Sequence, residues 1–215
     1  MADATSSEEL FETIVSKLMA EDFAIVDDFL DESACRVLLE CLVGRQKIGQ
    51  FRQAGIGRGA EFAQQQTIRG DEILWLEKED SEPVIQQFME RMESLIAYCN
   101  RTCFTGIRDM EAHFAVYSEG AYYHRHLDQF RGNGNRKFTF ILYLNFDWQP
   151  SHGGCLRMYL PQGDTEIAMD IAPQAGRLVC FKSDAIPHEV LPTHALRYSI
   201  TGWWLEREKQ LSFLG

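Results

Sequence analysis

His126-Leu127-Asp128 sets an imidazole and a carboxylate two residues apart in a stretch, 121–128, that reads as a strand. Period two then turns both side chains to one face of the sheet. A metal ion held there needs a third ligand, and His188, in Pro187-His188-Glu189-Val190 at the end of another strand, is a candidate. Two histidines and one carboxylate on one side of an ion leave the other side open, which suits non-haem iron(II) oxygen chemistry. Taken alone, His-x-Asp is a common chance spacing, and His188 reads equally as a turn histidine.

A second cluster adds weight. In Arg197-Tyr198-Ser199-Ile200-Thr201-Gly202-Trp203-Trp204, alternation puts Arg197, Ser199, Thr201 and Trp203 on one face. A guanidinium aimed into a barrel needs an anion, because a buried unpaired charge is very costly. A dicarboxylate co-substrate supplies one bidentately; an internal Asp or Glu would do so as a structural ion pair. In Lys137-Phe138-Thr139-Phe140-Ile141-Leu142-Tyr143-Leu144-Asn145, one face is wholly apolar (Phe138, Phe140, Leu142, Leu144) and should pack on helices. The other (Thr139, Ile141, Tyr143, Asn145) would line the pocket, with the Tyr143 hydroxyl on the same carboxylate.

The elements that must carry these residues divide at about residue 108. In the N-terminal part, Ser6 or Ser7 caps a helix with Leu10, Phe11, Ile14, Val15, Leu18 and Met19 at helical spacing. Phe23–Val26 reads as a short strand. Asp31 caps a second helix that Gly44 should stop, and Ser81-Glu82-Pro83 opens a third carrying Val84, Phe88, Met92, Leu95, Ile96 and Cys99. The Gly- and Gln-rich segment at about 50–66 reads as a mobile surface loop; its Gly55-x-Gly57-x-x-Ala60 lacks the strand and helix of a dinucleotide fingerprint. From 109 the pattern becomes strand-like, over 110–117, 121–128, 137–146, 154–160, 166–171, 177–181 and 196–205. Helices followed by many short strands predict an α+β fold, with helices buttressing one sheet of a sandwich or barrel. One compact catalytic domain is expected, with 1–108 as support, 109–206 as core and 207–215 as a tail.

The 215 residues carry 21 basic against 32 acidic side chains, a net charge of −11. Such a surface disfavours nucleic acid as a partner. No apolar run is long enough for a membrane span, and the first residues lack the basic flank and apolar stretch of a signal peptide, so a cytoplasmic protein is expected. Six cysteines, none in Cys-x-x-Cys, then read as reduced and mostly buried. His113 and His194 are expected to be solvated or locally hydrogen-bonded, His152 to lie in a turn, and His124 to sit behind the ligands or on the substrate side. No self-complementary strand or apolar heptad is evident, so a monomer is expected.

With these residues in view, the chain resembles the iron(II)/2-oxoglutarate-dependent dioxygenases, and among them the prolyl 4-hydroxylases of the oxygen-sensing, hypoxia-inducible-factor type. The resemblance rests on His126-x-Asp128, His188 and Arg197, together with Ile68-Arg69-Gly70-Asp71, Tyr143-Leu144-Asn145, Gly153-Gly154-Cys155-Leu156-Arg157, Ser183-Asp184 and the Arg197–Trp203 run. It covers roughly residues 20–206 and implies a double-stranded β-helix, or jelly roll. It further implies that His126, Asp128 and His188 hold Fe(2+), and that Arg197 binds the distal carboxylate of 2-oxoglutarate with Tyr143 and Tyr117. Thr201 and Trp203 would line that pocket. Asp71 would pair with Arg136, beside Arg69, and the loop around Gly57 would close over a peptide. Spacings from Tyr117 to His126 and from Asp128 to Arg136 each differ by one residue from the animal members.

The implied reaction couples decarboxylation of 2-oxoglutarate by dioxygen (O2) to hydroxylation of a prolyl C4, with L-ascorbate as reductant. The substrate would be a proline-bearing protein, with elongation factor Tu a candidate for what resembles a minimal, bacterial form without a zinc-finger extension. Nucleic-acid demethylation, hydroxylation of a small molecule and a non-catalytic metal-binding jelly roll are the competing readings. The first wants a basic groove, and the last a broken triad or a missing arginine.

Overall fold

A computed structural model describes residues 2–55, 69–129 and 135–206, with side chains from Ser7 onward. The loop tip with Gly57, the turn at 130–134 and the tail at 207–215 lie outside the described residues. The elements run α1 (Ala2–Glu21), β1 (Phe23–Val26), α2 (Glu32–Lys47), β2 (Arg52–Gln53), β3 (Asp71–Leu76), α3 (Pro83–Cys103), β4 (Asp109–Tyr117), β5 (Tyr123–His126), β6 (Arg136–Tyr143), β7 (Leu156–Gln162), β8 (Thr165–Ile171), β9 (Leu178–Lys182), β10 (His188–Val190) and β11 (Arg197–Leu205). They form two antiparallel sheets: seven strands in the order β1-β9-β6-β11-β4-β3-β2, and four in the order β5-β10-β7-β8.

The helices cover one face of the larger sheet, as the apolar stripes require. Phe11, Ile14, Val15 and Leu18 of α1, Leu38 and Leu42 of α2, and Phe88, Met92 and Leu95 of α3 share a core with Phe138, Phe140, Leu142, Ile200 and Trp204. Asp31 starts α2 by accepting a 2.8 Å bond from the Ala34 N–H, a cap that satisfies one orphan donor. Gly44 does not end that helix, which continues to Lys47; a glycine inside a helix lowers propensity by only about 1 kcal/mol, less than packing supplies. A second apolar cluster, including Ile141, Leu156, Met158, Val179 and Phe181, lies between the sheets. None of the helices among the described residues is long and apolar enough to cross a membrane.

The larger sheet crosses the expected boundary at 108. β1 pairs with β9, and β3 with β4, so the N-terminal part supplies sheet as well as buttress. All six cysteines are free, with Cys35, Cys99 and Cys180 buried.

Gly202 fixes how closely the central strands approach. A Cβ there would lie 2.3 Å from Phe140 Cζ and 2.4 Å from the Glu111 carbonyl oxygen. Because one of these atoms is backbone, Gly202→Ala should destabilise the protein by about 1–3 kcal/mol, read as a lowered midpoint in urea. An unchanged midpoint would contradict the strand packing described here.

Candidate active site

His126 and His188 meet because β5 and β10 run antiparallel with these two residues directly opposite, which puts their side chains on one face. Their rings lie 4.3 Å apart. Asp128 is not on the strand: β5 ends at His126, and the chain bends to bring the carboxylate back toward both rings. Asp128 Oδ1 lies 3.4 Å from His126 Nε2 and Oδ2 lies 3.6 Å from His188 Nε2. One donor atom from each of the three residues falls within 4.8 Å of the others, the one such group of potential metal ligands among the described residues. His188 opens β10 rather than closing a strand.

Hydrogen bonding prepares these donors. The Nδ1 of His126 is 2.7 Å from the His124 carbonyl and that of His188 is 3.0 Å from the Ile186 carbonyl. A carbonyl only accepts, so each Nδ1 carries a proton and Nε2 is the nitrogen each ring turns to the cluster. Burial, and then His126, lower the His188 pKa to about 4, so the ring is neutral at pH 7. Burial acts to raise Asp128, but His188, His126 and the Thr139 hydroxyl together hold it well below the usual carboxylate range. Two imidazoles that turn Nε2 to the cluster and an ionised carboxylate form a donor set that fits iron(II). His124 is exposed and contributes its carbonyl, while its ring rests 4.8 Å from Tyr122.

The support behind His126 differs from the expected Asp71–Arg136 pair. Asp71, buried on β3, takes a bidentate bond from Arg69 at 2.5 and 2.7 Å. Arg69 lies over the Tyr123 ring at 4.5 Å, and Tyr123 stacks on His126 at 3.7 Å. Asp71 therefore acts toward β5. Arg136 instead pairs with Glu111 at 2.7 Å and lies 3.4 Å over Trp203. The reason is register: Glu111 and Trp203 are cross-strand partners, and Arg136 begins the strand next to Trp203, so Glu111 is its near carboxylate. Glu111 and Tyr123 were not among the expected site residues; Glu111 shares strand parity with Tyr117, which was the available signal.

Arg197 is 1% exposed, and its register partner across β4 is Tyr117. Its guanidinium carbon lies 4.9 Å from the Tyr117 ring and 5.1 Å from that of Tyr143. Its Nε donates to the Gly154 carbonyl at 2.9 Å. No carboxylate pairs with it among the described ion pairs, and its Nη2, the Tyr143 hydroxyl and the Ser199 hydroxyl are buried with no partner. Burial pushes the Tyr143 phenol up to about 12, so it remains a donor at neutral pH. A buried cation and neighbouring unpaired hydroxyls on the metal-facing side of the barrel fit a dicarboxylate.

Thr201 lies between His113 and Ile141, and Trp203 between Glu111 and Thr139, on that same face. Gly154, at φ +62°, admits Arg197: a Cβ would stand 3.1 Å from Arg197 Cδ and 3.0 Å from Thr193 Cβ. The Gly153-Gly154 pair was its sequence signal. Asn145 lies beyond the end of β6 and does not line the pocket. Its side chain binds the Pro173 carbonyl and both the N–H and C=O of Tyr198, anchoring the start of β11. His113 is not solvated: it is buried between Trp75 and Trp203, and burial lowers its pKa well below the ordinary value. His194 is exposed, and His152 lies in a short turn, as expected.

Residues 112–205 match the 2OG-Fe(II) oxygenase superfamily. Over 205 residues the chain is 34% identical to Egl nine homolog 1 of Homo sapiens, covering 93% of this chain and 47% of that protein. The chain thus spans about half the length of that relative. A Pseudomonas putida prolyl-4-hydroxylase crystal structure shares 36% identity and a TM-score of 0.82, covering 92% of this chain and 100% of that one. A Trichoplax adhaerens prolyl hydroxylase, solved with a peptide fragment of the hypoxia-inducible factor oxygen degradation domain, shares 30% identity and a TM-score of 0.85, covering 96% and 93%. The jelly roll, the His-Asp-His cluster and these likenesses agree, and the chain belongs to the iron(II)/2-oxoglutarate oxygenase superfamily, in its prolyl hydroxylase branch.

Proposed function

We propose that this chain hydroxylates a prolyl residue at C4 within a protein, consuming 2-oxoglutarate and O2. The observation that carries the reading is Arg197, a buried cation with an unpaired Nη2 near the unpaired Tyr143 hydroxyl, on the larger sheet of the barrel whose smaller sheet bears His126 and His188. His126 Nε2, His188 Nε2 and the Asp128 carboxylate would hold iron(II). The bound iron supplies the redox chemistry that splits O2 between succinate and the hydroxylated product.

The chain's own work is binding, orientation and exclusion of water. Arg197 and Tyr143 grip the distal carboxylate, with Tyr117 stacked against Arg197 and Gly154 fixing the Arg197 Nε. Thr201 and Trp203 shape the wall between that end and the metal. Arg136, held by Glu111 against Trp203, stands at the margin where substrate would enter. A groove of about 510 Å³ lined by Gln50, Arg52, Ile73, Trp75, Glu77 and Glu111 follows β2 and β3. A groove along edge strands supports an extended polypeptide as substrate, with the segment around Gly57 and Arg69 as the covering loop and its support.

The enzyme acts in the cytoplasm as a monomer on a proline-bearing protein, with elongation factor Tu as a candidate. Among the described residues, the exposed apolar side chains Met19, Val37 and Ile167 belong to three different elements, α1, α2 and β8, which supports that state. The test incubates the protein with iron(II), L-ascorbate, O2, 2-oxoglutarate and a desalted proteome, then measures succinate and maps single-oxygen mass gains. Proteome-dependent succinate with the gain on a proline is expected. Succinate that responds only to nucleic acid or metabolites would overturn the prolyl assignment.

A further inference from the structure

Two buried hydroxyls stand in line behind the Asp128 carboxylate. Thr139 Oγ1 is 2.7 Å from Asp128 Oδ2 and 2.9 Å from Ser183 Oγ, and neither residue is more than 1% exposed. An ionised carboxylate only accepts, so Thr139 donates to Asp128, and its oxygen then accepts from Ser183. Ser183 is itself fixed by its backbone: its N–H donates to the Lys137 carbonyl at 3.1 Å, and its carbonyl accepts from the N–H of Gln129, the residue after Asp128, at 3.1 Å. Three residues on, the Ile186 carbonyl holds His188 Nδ1. The turn after β9 thus reaches two of the three ligands from a strand that bears none.

Thr139 lies between Phe138 and Phe140 in the middle of the larger sheet. Valine would fill the same volume there without a hydroxyl to desolvate, so the hydroxyl is costly unless its bonds are used. One of its bonds goes directly to Asp128, and the other to Ser183, whose carbonyl holds the N–H of the residue after Asp128.

We propose that Thr139 and Ser183 are positioning residues: a hydroxyl relay that engages Asp128 Oδ2, keeps Oδ1 as the oxygen offered to the metal, and so sets metal affinity. This rests on the iron reading above. Held from outside, the carboxylate cannot rotate to offer both oxygens, and the ligand geometry is set before the ion arrives.

Mn(II), titrated into the apo protein and followed by electron paramagnetic resonance, reads this without turnover. Thr139→Val should raise the Mn(II) Kd about 10–100-fold and change the bound-ion spectrum, Ser183→Ala should act in the same direction by a smaller factor, and Thr139→Ser should restore both. His126→Ala should abolish binding and marks the site. A Thr139→Val protein that is folded by circular dichroism and binds with native Kd and spectrum would overturn the relay, as would a Thr139→Ser protein as weak as valine. If Thr139→Val does not fold, Ser183→Ala decides, and native affinity and spectrum there overturn it. Absence of His126-dependent Mn(II) binding in the native chain would overturn the iron reading and the relay together, whereas intact binding insensitive to Thr139 overturns the relay alone.

Discussion

Replacing Arg197 by leucine should raise the KM for 2-oxoglutarate by about 10²–10⁴-fold, the equivalent of the roughly 3–5 kcal/mol that loss of one partner of a buried charge pair costs. A second readout sharpens this expectation. Without co-substrate the guanidinium is a buried charge with no carboxylate partner among the described residues, and aromatic rings lie beside it. Leucine removes that desolvation cost, so the apo variant should melt no lower than the native apo protein. The native protein should gain stability when 2-oxoglutarate is added with Mn(II), because a ligand that binds only the folded state stabilises it, and the variant should lose that gain. An Arg197→Leu protein with a native KM would remove the carboxylate role from Arg197. One that simply unfolds would return it to a structural part, the internal ion-pair reading that the described contacts do not support.

The second large effect is at the metal. His126→Ala and His188→Ala should each reduce succinate formation by more than the roughly 10–100-fold that changes behind the ligands cost, with the fold retained. Retention is clearest for His126, which is half-buried under Tyr123; His188 is buried edge-on against Phe181 at 4.6 Å, so its variant needs a fold check by circular dichroism. Comparing the two tests the cluster as a unit. If either variant kept native turnover, that histidine would not be a ligand, and the face would be open on two sides.

Much of this site was legible before the fold was known. Period two on β6 and β11 separates the residues that pack on helices from those on the opposite face, and it puts Arg197, Tyr143, Thr201 and Trp203 together on that opposite face because alternation is set by backbone geometry alone. The three helices follow from their apolar stripes, whereas of the expected end signals Asp31 caps α2, but α1 starts at Ala2, ahead of Ser6 and Ser7, and α2 runs past Gly44. Partners of charged groups were less legible. Asp71 was expected opposite Arg136, yet each found a nearer neighbour, Arg69 two residues away and Glu111 across β11. Which of several charges is nearest depends on register, and register is a product of the whole sheet. His113 was misread for a related reason: polarity suggests solvent, but its strand is central and covered on both faces. Asp128 shows the limit of strand periodicity, since a bend after His126 rather than alternation presents the carboxylate. The Ser183–Thr139 relay joins residues 44 apart in sequence, a pairing no local pattern announces.

The central claim is that this chain divides one O2 between 2-oxoglutarate and a protein-bound proline. It is tested most directly with ¹⁸O2, iron(II), L-ascorbate and 2-oxoglutarate in the presence of the substrate protein that the proteome screen returns. The account predicts one ¹⁸O in succinate and one on the proline C4, with the two products formed in equal amounts and neither formed by His126→Ala. Succinate formed without labelled hydroxyproline, or label on a residue other than proline, would contradict it.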